Sequence, residues 1–229
     1  MPLTQPETTL HEILEALRST PGDAQDGLLQ TPCALCRLVA RSVAQSTRAF
    51  FAEFVNDPPA RVRLRQARGF CAEHAALLTT LGDALAVAIL YSDLARLTRE
   101  RWQQEGGRGL RLNLRGGARS PAAPCPACAD AQEAQARYVG ALAAGLKEPQ
   151  VWEALEAGSG LCVAHAERVM AQAAPAHAAR LRRLESERLA ALQAELDEIV
   201  RKNDYRFRGE AWGPERDAWL RALQKLSRP

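Results

Sequence analysis

Apolar positions in this chain recur every three or four residues over long stretches, separated by Gly- and Pro-containing breaks. That period predicts helices. Thr8–Arg18 places Leu10, Ile13, Leu14 and Leu17 on one face, with Thr8 or Thr9 as the expected cap. Arg37–Val55 carries Leu38, Val39, Val43, Phe50, Phe51, Phe54 and Val55 with no Gly or Pro, and reads as helix until Asn56-Asp57-Pro58-Pro59 stops it. A short piece, Ala60–Ala67, leads to one long helical pattern from near Cys71 to about Arg101, marked by Leu78, Leu81, Leu85 and Ala88. Further on, Asp130–Leu146, Pro149–Ala157 and Cys162–Ala174 predict helices, and Pro175 interrupts the pattern. Ala176–Lys202 predicts a helix about 40 Å long. Its Leu189, Leu192, Leu196 and Ile199 form an apolar seam. A last helix is expected near Glu215–Leu226, with Pro214 in its first turn and Trp219, Leu220, Leu223 and Leu226 along it.

Four short motifs punctuate these helices: Cys33-Ala-Leu-Cys36, Cys71-Ala-Glu-His74, Cys125-Pro-Ala-Cys128 and Cys162-Val-Ala-His165. The CxxC motifs lie 92 residues apart and the CxxH motifs 91. Their surroundings repeat as well. Pro32 and Pro124 precede the CxxC pairs, and Gly69-Phe70 and Gly160-Leu161 precede the CxxH pairs. The chain therefore reads as an internal duplication. Residues 1–27 form an N-terminal helix and loop, 28–103 the first repeat, 125–203 the second, and 204–229 a C-terminal segment and helix. Between the repeats, 104–124 is expected to be a flexible Gly/Arg linker, with Arg108, Arg111, Arg115 and Arg119 among its glycines.

Composition narrows the class. In 229 residues, 47% hydrophobic and 25% charged, there is enough apolar chain for a core and no apolar run near ~18 residues, so no membrane span is expected. The first residues lack a basic stretch followed by an apolar one, which leads to the expectation of a cytoplasmic protein. In a reducing compartment six cysteines point to metal or redox chemistry rather than disulfides. The net charge is only +3, and the Arg of the C-terminal part are matched by acids, so nucleic-acid binding is weakly supported. Glu153, Glu156, Glu185, Glu187, Glu195, Asp197 and Glu198 read as solvated helix faces.

Zinc in structural sites takes four tetrahedral thiolate and imidazole ligands. Two ligands separated by two residues reach one ion easily. A CxxC joined to a CxxH supplies Cys3His, and all six cysteines are used. The nearest combination within each repeat groups Cys33, Cys36, Cys71 and His74, then Cys125, Cys128, Cys162 and His165. Each motif sits at a predicted helix start, where free N–H groups and the dipole favour thiolate. His11 and His177 fit neither set. Two zinc ions per chain are the expectation. An iron–sulfur cluster, a dithiol redox pair and a zinc-thiolate redox switch are the alternatives. No catalytic residue is assigned: there is no G-x-S-x-G, P-loop, dinucleotide fingerprint or H-E-x-x-H.

With these motifs in place, the chain resembles an uncharacterised bacterial family of unknown function. Its members carry two CxxC…CxxH halves, a long helix and a Lys-x-Asp-Tyr-Arg-Phe segment. Here that segment is Lys202-Asn203-Asp204-Tyr205-Arg206-Phe207, and the likeness runs over roughly residues 28–227. The resemblance implies the architecture and no activity. The segment itself reads as a helix terminator, with Asn203 closing the helix and Tyr205 and Phe207 packing on the bundle. The whole reads as an all-α helical bundle of two pseudo-repeated zinc-stapled halves plus C-terminal helices. Its expected role is a non-enzymatic scaffold or adaptor with a protein partner.

Overall fold

The computed structural model describes residues 6–19, 31–81, 83–107, 123–207 and 209–227. Most of the 104–124 linker and the loop of the N-terminal segment lie outside the described residues. Among the described residues there are ten α-helices and no strand. They are α1 (Pro6–Arg18), α2 (Ala34–Glu53), α3 (Pro58–Ala67), α4 (Ala72–Leu81) and α5 (Ala84–Gly107). These are followed by α6 (Pro126–Gly145), α7 (Pro149–Ala157), α8 (Val163–Gln172), α9 (Pro175–Lys202) and α10 (Ala218–Leu226). Short 3-10 turns cover Tyr205–Phe207 and Pro214–Asp217. Among the described residues no helix is long and apolar enough to cross a membrane.

Local chemistry explains most boundaries. α3 opens on Asp57, whose carboxylate accepts the Ala60 N–H at 2.9 Å, with Pro58 and Pro59 in the first turn. α7 and α9 also begin at prolines, so Pro175 starts a helix. Three expectations change. Thr8 and Thr9 lie inside α1 rather than capping it, and Thr9 is buried. The single pattern expected from Cys71 to Arg101 is two helices, because Asp83 takes the Ala86 N–H at 2.9 Å and starts α5 afresh. In the seam of α9 only Leu192 is buried, while Leu189, Leu196 and Ile199 are half-covered.

The chain divides into two compact units, 1–41 with 134–229, and 42–133. The division falls inside α2 and α6, so the units do not follow the sequence repeats. In the first unit, Ile13, Leu14 and Leu17 of α1 join Leu35 and Leu38 of α2, Val139 and Leu142 of α6, Val151 and Leu155 of α7, Val169 of α8 and Leu181 of α9. Burying one such side chain contributes about 1.5–3 kcal/mol. Arg37 ties α1 to the approach to Cys33, donating to the Thr31 and Pro32 carbonyls at 2.9 and 2.8 Å and to the Ala16 carbonyl. The second unit gathers Phe51, Val55, Leu64, Leu78, Ala86 and Leu90, with Phe50, Phe51 and Phe70 in mutual ring contact.

The end of α9 is held by charge. Asn203 donates its side-chain amide to the Ile199 carbonyl at 2.8 Å, as a helix terminator should. Lys202 bonds buried Glu215 at 2.7 Å. Arg201 and Arg206 lie over the Phe207 ring. Tyr205 departs from expectation: it is 78% exposed. Glu185 departs further, being buried rather than solvated, and pairs with buried Lys225 of α10 and with Arg188 at 3.2 Å.

Candidate metal centres

All four motifs sit at helix N-termini. Cys33, Cys71, Cys125 and Cys162 immediately precede α2, α4, α6 and α8, and the second residue of each motif lies one turn inside. The approach to each CxxH needs a left-handed residue. Gly69 has φ +105° and Gly160 has φ +78°, values that L side chains avoid. A Cβ at Gly160 would clash with Arg188 Nη1 and lie 2.8 Å from Glu185 Oε1. Gly160→Ala is therefore expected to destabilise the protein by about 1–2 kcal/mol. Urea denaturation checks this; an unchanged midpoint would mean that the turn relaxes freely.

The eight ligand candidates form two clusters, in each of which the donor atoms lie within 4.8 Å of one another. One joins Cys33, Cys36, Cys162 and His165, all in the first compact unit. The other joins Cys71, His74, Cys125 and Cys128, all in the second. This corrects the grouping expected within each repeat: each cluster takes its CxxC from one repeat and its CxxH from the other. Packing is the reason. Cys33, Ala34 and Leu35 at the head of α2 share a core with Leu161, Cys162 and Ala166 at the head of α8. On the approach to Cys125, the Ala123 N–H donates to the Gln66 carbonyl at the end of α3, 3.1 Å away, which brings the chain beside Cys71.

The donor spacing suits a tetrahedral ion. In the first cluster His165 Nδ1 lies 3.5, 3.3 and 3.2 Å from the sulfurs of Cys33, Cys36 and Cys162, and Cys36 and Cys162 are 3.7 Å apart. In the second, His74 Nδ1 lies 3.1, 3.3 and 3.9 Å from Cys71, Cys128 and Cys125, and Cys71 and Cys128 are 3.7 Å apart. A zinc ion with bonds of about 2.3 Å to sulfur and about 2.0 Å to nitrogen separates its ligands by about 3.8 Å (S to S) and about 3.5 Å (S to N). All six cysteines are free.

Within each cluster the thiols perturb one another. Hydrogen bonds from the Cys33 and Cys36 thiols hold Cys162 well below the ordinary thiol range, and the Cys162 bond pushes Cys36 far up. In the second cluster the His74 backbone amide lowers Cys71, while burial and the neighbouring thiols push Cys128 up to about 12. Thiolates this close cannot all ionise unless a positive ion sits among them.

The two surroundings differ. Cys33, Cys162 and His165 are buried, whereas all four residues of the second cluster are half-exposed. His165 also has an outer partner, since its Nε2 lies 2.9 Å from the Gln135 amide nitrogen, and the Gln135 oxygen accepts from Arg168. With its Nδ1 turned to the three sulfurs, the ring is steadied on its far side by Gln135, which Arg168 holds in place. The repeat did not single out Gln135; its position about two turns beyond Cys128 in α6 carried no metal-ligand spacing. His11 is exposed and His177 lies against Trp152, so neither joins a cluster.

A protein described as "Uncharacterized 23.9 kDa protein in xynA 3'region", from Caldicellulosiruptor sp. (strain Rt8B.4), is 44% identical over 64 residues. The match covers 28% of this chain and 31% of that protein, so the chain spans about a third of its length. No solved structure matches the chain. The model of a family of unknown function, DUF6062, matches residues 26–229. With that match running over nearly all of the chain, the protein belongs to the DUF6062 family.

Proposed function

We propose that this is a zinc-binding, non-enzymatic scaffold whose two Cys3His sites staple pairs of helix N-termini. The observation that carries the reading is the closed donor set: three sulfurs and one imidazole nitrogen at tetrahedral spacing in each cluster. Four protein ligands leave no open position for a reacting water, which favours a structural ion over a catalytic one. Cys33, Cys36, Cys162 and His165 would hold one ion, and Cys71, His74, Cys125 and Cys128 the other. When bound, zinc supplies charge neutralisation and a cross-link. Elemental analysis of full-length protein is expected to give two zinc ions per chain, and strong chelation to abolish cooperative unfolding. A metal-free protein with an unchanged fold would overturn the reading, and iron in place of zinc would replace it with a cluster protein.

A second reading, a redox-responsive switch, is favoured by the exposure of the Cys71 cluster. Two zinc-bound thiolates, of Cys71 and Cys128, would reduce one molecule of hydrogen peroxide. With two protons taken up, the products are one disulfide, two waters and a released zinc ion. Mild peroxide is expected to free about one zinc per chain before touching Cys33, Cys36 and Cys162, with thiol reductant restoring binding. Thiols that resist peroxide until the protein unfolds would rule the switch out.

A further inference from the structure

α10 is mounted with its polar side inward. At about 100° per residue, Ala218, Arg221 and Lys225 fall within about 60° of one another, and Trp219, Leu220, Leu223 and Leu226 form a stripe about 120° wide on the other side. Ala218 and Lys225 are buried. Lys225 pairs with Glu185 of α9, and Arg221 pairs with Glu195 of α9 and with Asp217. These pairs fix which way the helix faces. The stripe is left outward, with Trp219 53%, Leu220 44%, Leu223 58% and Leu226 55% exposed. Isolated exposed leucines need no explanation, but a contiguous apolar stripe held outward by a buried Lys225–Glu185 pair and the half-exposed pairs of Arg221 does.

We propose that this stripe is the self-association surface of the protein, with α10 packing antiparallel on α10 of a second copy. Three features select a second copy. The stripe is nearly symmetric about Leu223, with Trp219 four residues before it and Leu226 three after, so a two-fold axis at Leu223 sets each Trp219 beside Leu226 of the other copy. Antiparallel helices also oppose their dipoles favourably. The area is adequate as well: the four side chains expose roughly 400 Å² per copy, so two copies with a polar rim approach the ~1,200 Å² of a small specific interface.

The test is sedimentation equilibrium of the full-length, metal-loaded chain from about 1 to about 100 µM, beside Leu223→Glu and Leu223→Ala. The expected result is a concentration-dependent dimer, weakened at least ~100-fold by Leu223→Glu and about tenfold by Leu223→Ala, with helical circular dichroism and metal content unchanged. Hydrogen exchange in α10 should slow as wild-type concentration rises, which keeps the test informative should the Glu variant fold poorly. A chain that stays monomeric at the top concentration overturns the proposal, whether the stripe then serves a different protein or none. A dimer that both variants leave intact overturns it equally.

Discussion

Cys36→Ser combined with Cys162→Ser in one chain is expected to cost one metal ion, whereas Cys36→Ser combined with Cys71→Ser is expected to cost both. The first pair falls in one cluster, where Cys36 and Cys162 lie 3.7 Å apart. The second pair breaks each cluster once. Had the ligands grouped within repeats, the outcomes would be reversed: Cys36 and Cys71 would share an ion, and Cys36 and Cys162 would not. Metal-to-protein ratios on purified variants decide between the two. The effect on folding should be large. Apparent binding free energies for structural zinc run about 10–16 kcal/mol, comparable with the whole stability of a domain at about 5–15 kcal/mol. The unit that loses its ion is therefore expected to lose cooperative unfolding. Retention of two ions by Cys36→Ser/Cys162→Ser would refute the sites altogether.

That exchange of partners marks where the sequence stopped being informative. Residue type, spacing and helix position picked out the eight residues that the two clusters gather, because a CxxC or CxxH at a helix start is a local pattern. Pairing is not local. Either combination of one CxxC with one CxxH gives Cys3His, and both leave no cysteine over. The within-repeat grouping spans 34 and 33 residues between motifs, and the observed one spans 125 and 50. Yet loop-closure entropy grows only with the logarithm of length, so the longer spans cost about 1.5 kcal/mol more in total. A core that places Leu35 beside Leu161 outweighs that easily.

The helices were legible for the same reason that the pairing was not. The proline start at Pro149 and the glycine turns at Gly69 and Gly160 act within a few residues, whereas Pro58 and Pro175, read as a stop and an interruption, each open a helix. Asp83 also acts locally, but an Asp inside a continuing 3.6-residue pattern gives no warning that it will cap a new helix. The C-terminal helix is a different case. Its periodicity is strong, and the usual inference from a strong apolar stripe is burial. Which side faces the core depended on Glu185, an acid whose spacing among other α9 charges made it look solvated. No local rule distinguishes it from Glu187 two residues on, which is exposed.

Lys225→Met should therefore destabilise the protein more than any exposed-charge substitution on α9, by about 3 kcal/mol. Removing the ammonium leaves the buried Glu185 carboxylate without its nearest cation. The loss is held toward the low end of the usual range of about 3–5 kcal/mol because two partners remain. Arg188 stays at 3.2 Å, and the Leu161 N–H donates at 3.2 Å. Glu185→Leu removes the same pair from the other side, strands Lys225, and frees the Leu161 N–H just before Cys162. The double variant Lys225→Met/Glu185→Leu should recover the part of the loss that comes from a stranded charge, since it removes the desolvation penalty together with the attraction, while the Leu161 N–H stays unpaired. Urea midpoints of metal-loaded wild type, both single variants and the double variant complete the cycle. A Lys225→Met midpoint equal to that of wild type would mean that water already screens the pair, and α10 would then owe its inverted mounting to Arg221 and Ala218 alone. By contrast, Arg180→Met removes an exposed partner of Glu156 and is expected to change stability by less than about 1 kcal/mol. The contrast sets a buried carboxylate against an exposed one, even though Arg180→Met also removes the guanidinium from over the Trp152 ring.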